Sequence, residues 1–544
     1  MPKINVDALL DQFTSEALQP ASGASGISKP TVSQPQGQPQ PQRQWSPMQQ
    51  GIFDAVRDRG LNLMVQARAG TGKTTTIVKA MDFAPGRSMF LAFNKSIADE
   101  LREKVPERKD DVKTLNALGH GRWMEYSPRS TLEVGTGRTR KPSKLAQLLA
   151  TQWGSEHPLV KEYGSAIQRC VSLAKAQAFG LPGSEYPDLT KWGSKPFEDI
   201  VDSFQLDIPI DVLPDCADMA AKLFQLSLQR LDIFDFDDQI YVPLWKGWRF
   251  NHYANVFVDE FQDLNPIQHY MLGVLHRQGS RLVGVGDDHQ AIYGFRGALT
   301  DSMARAQKAF GMTVLPLSVS YRCAQRIIER AQRYCPDIQW REGAPEGQVW
   351  RRDDIAEDGE QLLSDPETFD DCLVLCRNNG PLFRAILRQI RARKPCRVLS
   401  NFLEGFQGFI KSFKQTETIK LLPRLDQWYE RERSAAEAKG FDGKVAGLED
   451  RYETARLLCE QYATVAEVLD MVHGLSQGTG GPTFATIHKA KGLEHENVYL
   501  LRPDLLPAFY ARTPEQLQQE DNLTYVAITR AKQSFGYGVS EKRK

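Results

Sequence analysis

The sequence predicts an α/β fold on parallel sheets, arranged as two successive series that each carry a mainly helical insertion, behind a disordered N-terminal segment. Three observations predict it. Short apolar runs without polar alternation recur, at LNLMV 61–65, MFLAF 89–93, NVFV 255–258 and RLVGVG 281–286; strands buried on both faces need such runs. Amphipathic helical segments separate them, as crossovers between parallel strands require. A second series then follows from Met312, with TVLPL at 313–317, CLVLC at 372–376 and NVYLL at 497–501.

Taken in order, residues 1–44 are expected to be a tail. Its Ser/Pro/Gln/Gly-rich tract, ending in QPQGQPQPQRQ, buries too little apolar surface to offset chain entropy. Before that tract, Val6, Leu9, Leu10 and Phe13 share one helical face, which would suit a docking helix for a protein partner or a frayed end without a role. Residues 45–123 and 226–311 are assigned to the first α/β unit, and 124–225, helical and without a strand–loop–helix signature, to its insertion. Residues 312–395 and 478–544 are assigned to the second unit. Its insertion, 396–477, is charged and helical, as in LDQWYERERSAAEAKG.

Composition narrows the classes. Lys plus Arg is 68 and Asp plus Glu is 68, so the formal net charge is zero. A uniformly basic nucleic-acid surface is thereby excluded, and any such binding must use a local groove. No stretch has the roughly 18 consecutive apolar residues of a membrane span, and the start, MPKINVDALLDQF, does not read as a secretory signal. The eight cysteines are scattered; Cys372 and Cys376 fall in an apolar run and read as buried strand residues rather than metal ligands. A reduced, cytoplasmic or nucleoid-associated location is expected.

The strand LNLMV leads into Gln66-Ala67-Arg68-Ala69-Gly70-Thr71-Gly72-Lys73-Thr74-Thr75, which opens a helix. This is the strand–loop–helix context of a phosphate-binding loop. Glycines let backbone N–H groups approach phosphate oxygens, and the helix directs its positive end at them. Lys73 would reach the β- and γ-phosphates, and Thr74 would ligate Mg²⁺. Ala67 stands where the general pattern has Gly. A P-loop alone leaves kinase, GTPase and motor open.

The run NVFV delivers Asp259-Glu260-Phe261-Gln262-Asp263 at a strand's carboxyl end, where ligands of α/β sheets sit. Asp259 can hold the metal shell, and Glu260 can orient and deprotonate water. Adjacent acids at a helix start are equally an N-cap arrangement. The stretch GDDHQAIYGFRGA at 286–298 follows another strand. With it the pattern resembles UvrD/Rep-type helicases of superfamily 1: ARAGTGKT is similar to their motif I, DEFQD to motif II and GDDHQAIYGFRGA to motif III. AFNKS at 92–96 is similar to motif Ia, SYRC at 320–323 to motif IV, FATIHKAKGLE at 484–494 to motif V, and NLTYVAITRAK at 522–532 to motif VI. The AFNKS wording is most like the F-box DNA helicase branch, although nothing resembles an F-box.

The resemblance implies two RecA-like domains sharing one ATP and Mg²⁺. The first supplies Lys73, and the second supplies Arg322 and Arg530 as arginines reaching the γ-phosphate across a cleft. It further implies that Gln49 reads adenine, Tyr321 stacks on it, Glu494 contacts ribose and Gln290 couples γ-phosphate to the track. Phe93, Asn94, Thr114, Tyr293, Phe295 and His488 match single-strand contacts; Asn116, where the family often has His, departs from the pattern. The acidic FDFDDQI at 234–240 has family counterparts and reads only as helix-start capping. The expected function is ATP-dependent translocation on single-stranded DNA and unwinding at single-strand/duplex junctions, with 3′→5′ polarity carried over from the family, in replication, repair or recombination. The alternative is an ATPase that strips recombinases or other proteins from single strands without unwinding, and an RNA track stays open. No nuclease domain is expected in the twelve residues after Lys532.

Overall fold

A computed structural model describes residues 44–538 with breaks, the longest at 133–141, 295–298 and 353–370. The proposed docking helix and Phe295 lie outside the described residues. In chain order the strands are β1 (Leu63–Ala67), β2 (Ser88–Ala92), β3 (Val112–Thr114), β4 (Thr131–Leu132), β5 (Ile233–Phe234), β6 (Asn255–Val258), β7 (Arg281–Gly286) and β8 (Thr313–Leu317). They continue as β9 (Val319–Ser320), β10 (Gln339–Trp340), β11 (Gln348–Arg352), β12 (Leu373–Cys376), β13 (Arg397–Leu399), β14 (Thr483–Thr486), β15 (His495–Leu500) and β16 (Ala531–Gly538). Among the described residues two six-stranded sheets result, ordered β3-β2-β6-β7-β1-β8 and β11-β16-β15-β12-β14-β13. Every pairing in both is parallel.

The strands alternate between two apolar layers because side chains on a strand point to opposite faces in turn. Leu63 and Val65 pack with Phe90, Val283 and Val285 on one face of the first sheet. Met64 joins Leu91, Val256 and the helices of the first insertion on the other. In the second sheet Leu373 and Leu375 face Ala485 and Val498, while Val374 faces Phe484 and Tyr499.

One boundary moves. TVLPL, expected in the second unit, forms β8, which pairs with β1, Leu63 opposite Thr313, and closes the first sheet. It is an edge strand with Val314 exposed, where Pro316 removes no ladder donor from an interior pair. An apolar run does not by itself say which sheet it joins. The second unit therefore begins after Leu317, and its insertion begins after β13 rather than at residue 396.

The insertions are helical as expected. In the first, helices span Lys144–Trp153, Pro158–Ala176, Lys195–Ser203 and Leu213–Gln229, with a short parallel β4–β5 pair beside them. In the second they span Asn401–Ser412, Thr418–Ala438, Asp442–Cys459 and Val465–Gln477, and Phe406, Phe409 and Trp428 share the core of the second sheet. FDFDDQI does more than cap. Asp235 forms a capping box with Asp238 at the start of the helix Phe236–Trp245. The Asp238 carboxylate also accepts from Lys144 Nζ at 2.6 Å and Lys175 Nζ at 2.7 Å, all three side chains being nearly inaccessible. A buried Lys–Asp–Lys group thus ties two helices of the insertion to the helix Phe236–Trp245. All eight cysteines are free thiols and buried, Cys372 and Cys376 among them. No described helix is long and apolar enough to cross a membrane.

Candidate functional site

The loop after β1 turns through Gly70 (φ +74°) and Gly72 (φ +78°), a left-handed conformation that glycine adopts without the steric cost a Cβ would add. Gly72 is the N-cap of the helix Lys73–Ala80, whose first N–H groups and dipole favour an anion. Gly70 has a second reason to lack a side chain. A Cβ there would lie 2.5 Å from Arg322 Cβ and 2.6 Å from Ser320 Oγ, so the segment after β8 lies directly on the loop. Tyr321 N–H donates to Gly70 O at 2.9 Å, leaving the Tyr321 ring exposed beside it.

Arg68 and Ala69 leave the set expected to face phosphate. Arg68 N–H donates to Leu317 O at 3.0 Å, and Ala69 N–H donates to the Tyr525 hydroxyl at 3.0 Å. Ala67 ends the strand and pairs with Leu317. The Thr71 hydroxyl donates to Arg68 O at 2.9 Å, so the loop's first half is fixed from behind while its second half, residues 72–75, opens the helix. Gln49 lies beside that helix. Its amide nitrogen donates to Thr76 Oγ1 at 2.9 Å, and its oxygen accepts from Ser46 N–H in a capping box.

The acids follow β6. Thr74 Oγ1 donates to Asp259 Oδ2 at 2.8 Å, although β7 separates their strands in the sheet. Glu260 adopts φ +50°, a sparsely populated conformation for a residue with a Cβ. That turn brings its carboxylate to 3.7 Å from Lys73 Nζ. Burial and the neighbouring Glu260 push Asp259 up to about 6. Burial alone would raise Glu260 as well, but Lys73 and Lys491 hold it down at about 2. Two adjacent carboxylates are thereby differentiated, one raised by burial and by its neighbour, the other lowered by the lysines facing it. The hard oxygens of Thr74 and Asp259, already in contact, fit Mg²⁺, which takes few protein ligands and keeps water and phosphate oxygens.

After β7, Gln290 is buried and its amide donates to Asp287 Oδ2 at 2.6 Å. Lys491, a residue not singled out from the sequence, joins three features here. Its Nζ donates to Asp263 Oδ2 at 2.6 Å and to Gln290 O at 2.8 Å, and it sits 4.8 Å from the centroid of the Tyr293 ring. The Tyr293 ring lies nearly parallel to that of Phe93, 9° apart in plane with centroids 6.3 Å apart. One lysine therefore connects the acid after β6, the glutamine after β7 and an aromatic pair.

The second lobe supplies the arginines. Arg322 forms an ion pair with Glu494 at 2.6 Å and donates to Thr529 O at 3.1 Å. Arg530 is 1% exposed and donates to Val526 O, Leu493 O and Thr529 Oγ1 at 3.0–3.1 Å. Among the described residues no carboxylate lies within ion-pair distance of it. Burial, with Arg322 nearby, lowers it to about 10. A buried cation with only neutral acceptors is costly unless an anion completes it, and Glu260 on the other lobe feels its field.

The remaining expected contacts are dispersed. Asn94 caps the helix Lys95–Lys104 through Ile97 N–H, and Thr114 caps Leu115–Tyr126 through Ala117 N–H. Asn116 donates to Phe236 O and Gln239 Oε1, so it faces the protein. Glu494 is held by Arg322 and Lys532, and His488 is half-buried after β14.

The UvrD/REP helicase N-terminal domain family matches residues 48–311, and the UvrD-like helicase C-terminal domain family matches 483–536. F-box DNA helicase protein 1 of Schizosaccharomyces pombe is 24% identical over 517 residues, covering 89% of this chain and 56% of that one. DNA helicase II of Haemophilus influenzae is 23% identical over 436 residues, covering 74% and 57%. DNA helicase IV of Escherichia coli is 28% identical over 335 residues, covering 53% and 47%. The chain spans about half the length of these curated relatives.

Proposed function

The chain belongs to the UvrD/REP helicase family, and from that premise we propose that it hydrolyses ATP to move along single-stranded DNA and unwind junctions, with 3′→5′ polarity, in DNA repair or recombination. The observation that carries the proposal is the meeting of two incomplete charge sets. Lys73, Thr74, Asp259 and Glu260 lie on one lobe. Arg322 packs on Gly70 from the other, and Arg530 is buried there with neutral acceptors.

In this account ATP places its phosphates on the N–H groups that open the helix Lys73–Ala80, with Lys73 Nζ on the terminal oxygens. Mg²⁺, held through Thr74 and Asp259, neutralises phosphate charge when bound. Glu260, ionised, orients the attacking water. Lys73, which pairs with it at 3.7 Å, shifts toward phosphate as ATP enters, which raises the basicity of Glu260 for accepting the water's proton. Arg322 and Arg530 stabilise charge spreading over the γ-phosphate oxygens. Loss of that phosphoryl group removes what holds the lobes together, and the cleft reopens. Gln290 and Lys491 transmit the change to Tyr293 and Phe93, which grip bases by sequence-tolerant stacking. Tyr321 stacks on adenine, and Gln49 and Glu494 lie at the base and ribose ends.

The test is strand displacement on duplexes with a 3′ or a 5′ single-stranded tail, using the full chain and Lys73→Ala. Unwinding of the 3′-tailed duplex alone, lost in Lys73→Ala, is expected. ATP turnover without displacement of either duplex would remove the helicase assignment, and no turnover in poly-dT would remove the motor.

A further inference from the structure

Arg68 stands inside the phosphate-binding loop, yet its guanidinium points away from the nucleotide space. Nε and Nη2 each donate at 2.8 Å to the two oxygens of Asp337, a bidentate pair. Nη1 donates to Asp288 Oδ1 at 2.6 Å, with Asp287 Oδ1 at 3.5 Å. The side chain is 4% exposed. Asp337 belongs to the second lobe, between Cys335 and Ile338, which are buried in the core of the second sheet. Asp288 follows β7 in the first. Nearby, the Tyr525 hydroxyl accepts from Ala69 N–H and donates to Asp287 Oδ2 at 3.3 Å.

The backbone of Arg68 is fixed as firmly as its side chain. Its N–H bonds Leu317 O, on the last strand of the first sheet. The chain crosses to the second lobe immediately afterwards, through β9, which pairs with β10 just beyond Asp337. A planar fork of five donors matches this arrangement, whereas an ammonium group provides a point charge without bidentate geometry. His289 and the Cys335 thiol lie beside Asp337 as possible metal ligands. Both Asp337 oxygens are already committed to the guanidinium, which favours an ion-pair junction over a metal seat.

We propose that Arg68 is a positioning residue that pins the phosphate-binding loop to Asp337 at the crossover between lobes, so that the second lobe pivots about the loop and carries Arg322 and Arg530 in and out of register with it. The inference deepens the motor proposal and rests on it for the consequence, not for the geometry. Without the pin the lobes would slide as well as rotate, and the arginines would arrive displaced. A displacement of about 1 Å at a reacting group costs on the order of 10²-fold in rate.

The test uses the full chain with Asp337→Ala, Arg68→Lys, Arg68→Ala and the double alanine variant. Poly-dT-stimulated ATP turnover is measured together with the inter-lobe distance distribution between spin labels on Glu103→Cys and Glu329→Cys. These sites are exposed, one on each lobe, and the natural cysteines are all buried. Asp337→Ala and Arg68→Lys are expected to lower kcat by about ten-fold or more with KM for ATP changed less than about three-fold, and to broaden the distance distribution. The double variant should be no worse than the worse single one, because both remove the same contact. An unchanged distribution and kcat within about two-fold in Asp337→Ala would overturn the proposal. If Arg68→Ala does not fold, with Asp287 and Asp288 left facing one another, Asp337→Ala still decides. Should the unmodified chain show no stimulated turnover, the motor proposal fails while the distance distribution still tests the pin.

Discussion

Replacing Arg530 by alanine separates binding from chemistry. Among the described residues its hydrogen bonds go to Val526 O, Leu493 O and Thr529 Oγ1, all on its own lobe. Their loss costs about 1 kcal/mol each, offset by relief of a buried charge that burial and Arg322 already disfavour. The variant should therefore fold. The effect on rate is larger. An arginine reaching phosphate from an opposing domain contributes about 10³–10⁵ in turnover, which is about 4–7 kcal/mol of barrier. The lower end is expected, because Arg322 remains. Turnover with poly-dT is measured beside binding of a fluorescent ATP analogue. Turnover about 10³-fold lower, with binding weakened only several-fold, is the expected outcome. Equal losses in both, or a turnover loss below about ten-fold in folded protein, would refute the role.

Four further substitutions test other contacts of the site and the fold. Gly70→Ala places a methyl group 2.5 Å from Arg322 Cβ, and should depress turnover sharply while Gly121→Ala, where a Cβ meets nothing within 4 Å, does not; parallel rate measurements on the two decide it. Tyr293→Ala should weaken poly-dT binding by about 1–3 kcal/mol, read by fluorescence anisotropy, and unchanged affinity would exclude its ring from the track. Asp238→Ala leaves Lys144 and Lys175 buried without their acceptor and should destabilise the fold by about 3–5 kcal/mol, seen in urea unfolding. His269, held near 4 by burial and Arg305, stays neutral in the fold as pH falls while the unfolded chain takes up its proton below about 6.5. Between pH 7.5 and 5 it should cost the folded chain about 2 kcal/mol that His269→Gln does not lose, and identical acid melting of the two proteins would contradict this.

The strands NVFV and RLVGVG were legible to the residue because buried parallel strands are apolar throughout. TVLPL was legible as a strand but not as a member of the first sheet, since edge position depends on pairing with a strand some 250 residues earlier. The pairing of Thr74 with Asp259 follows from motif chemistry. The commitments of Arg68 and Ala69 do not, because Asp337 and Tyr525 are distant in sequence and carry no local signature. Lys491 was hidden for a similar reason: within KAKGLE nothing marks which lysine reaches across to Gln290 O. FDFDDQI showed its capping chemistry but not its buried lysines, which come from two helices of the insertion.

The most direct measurement is the distance between labels at positions 103 and 329 in the presence of poly-dT, with ADP plus aluminium fluoride and then with ADP alone. A shorter, narrower distance is expected with the transition-state mimic, reverting with ADP, and no shortening when Arg322 and Arg530 are both replaced by alanine. A distance that ignores the nucleotide, or that shortens equally without the two arginines, would contradict a cleft closed by charges from both lobes.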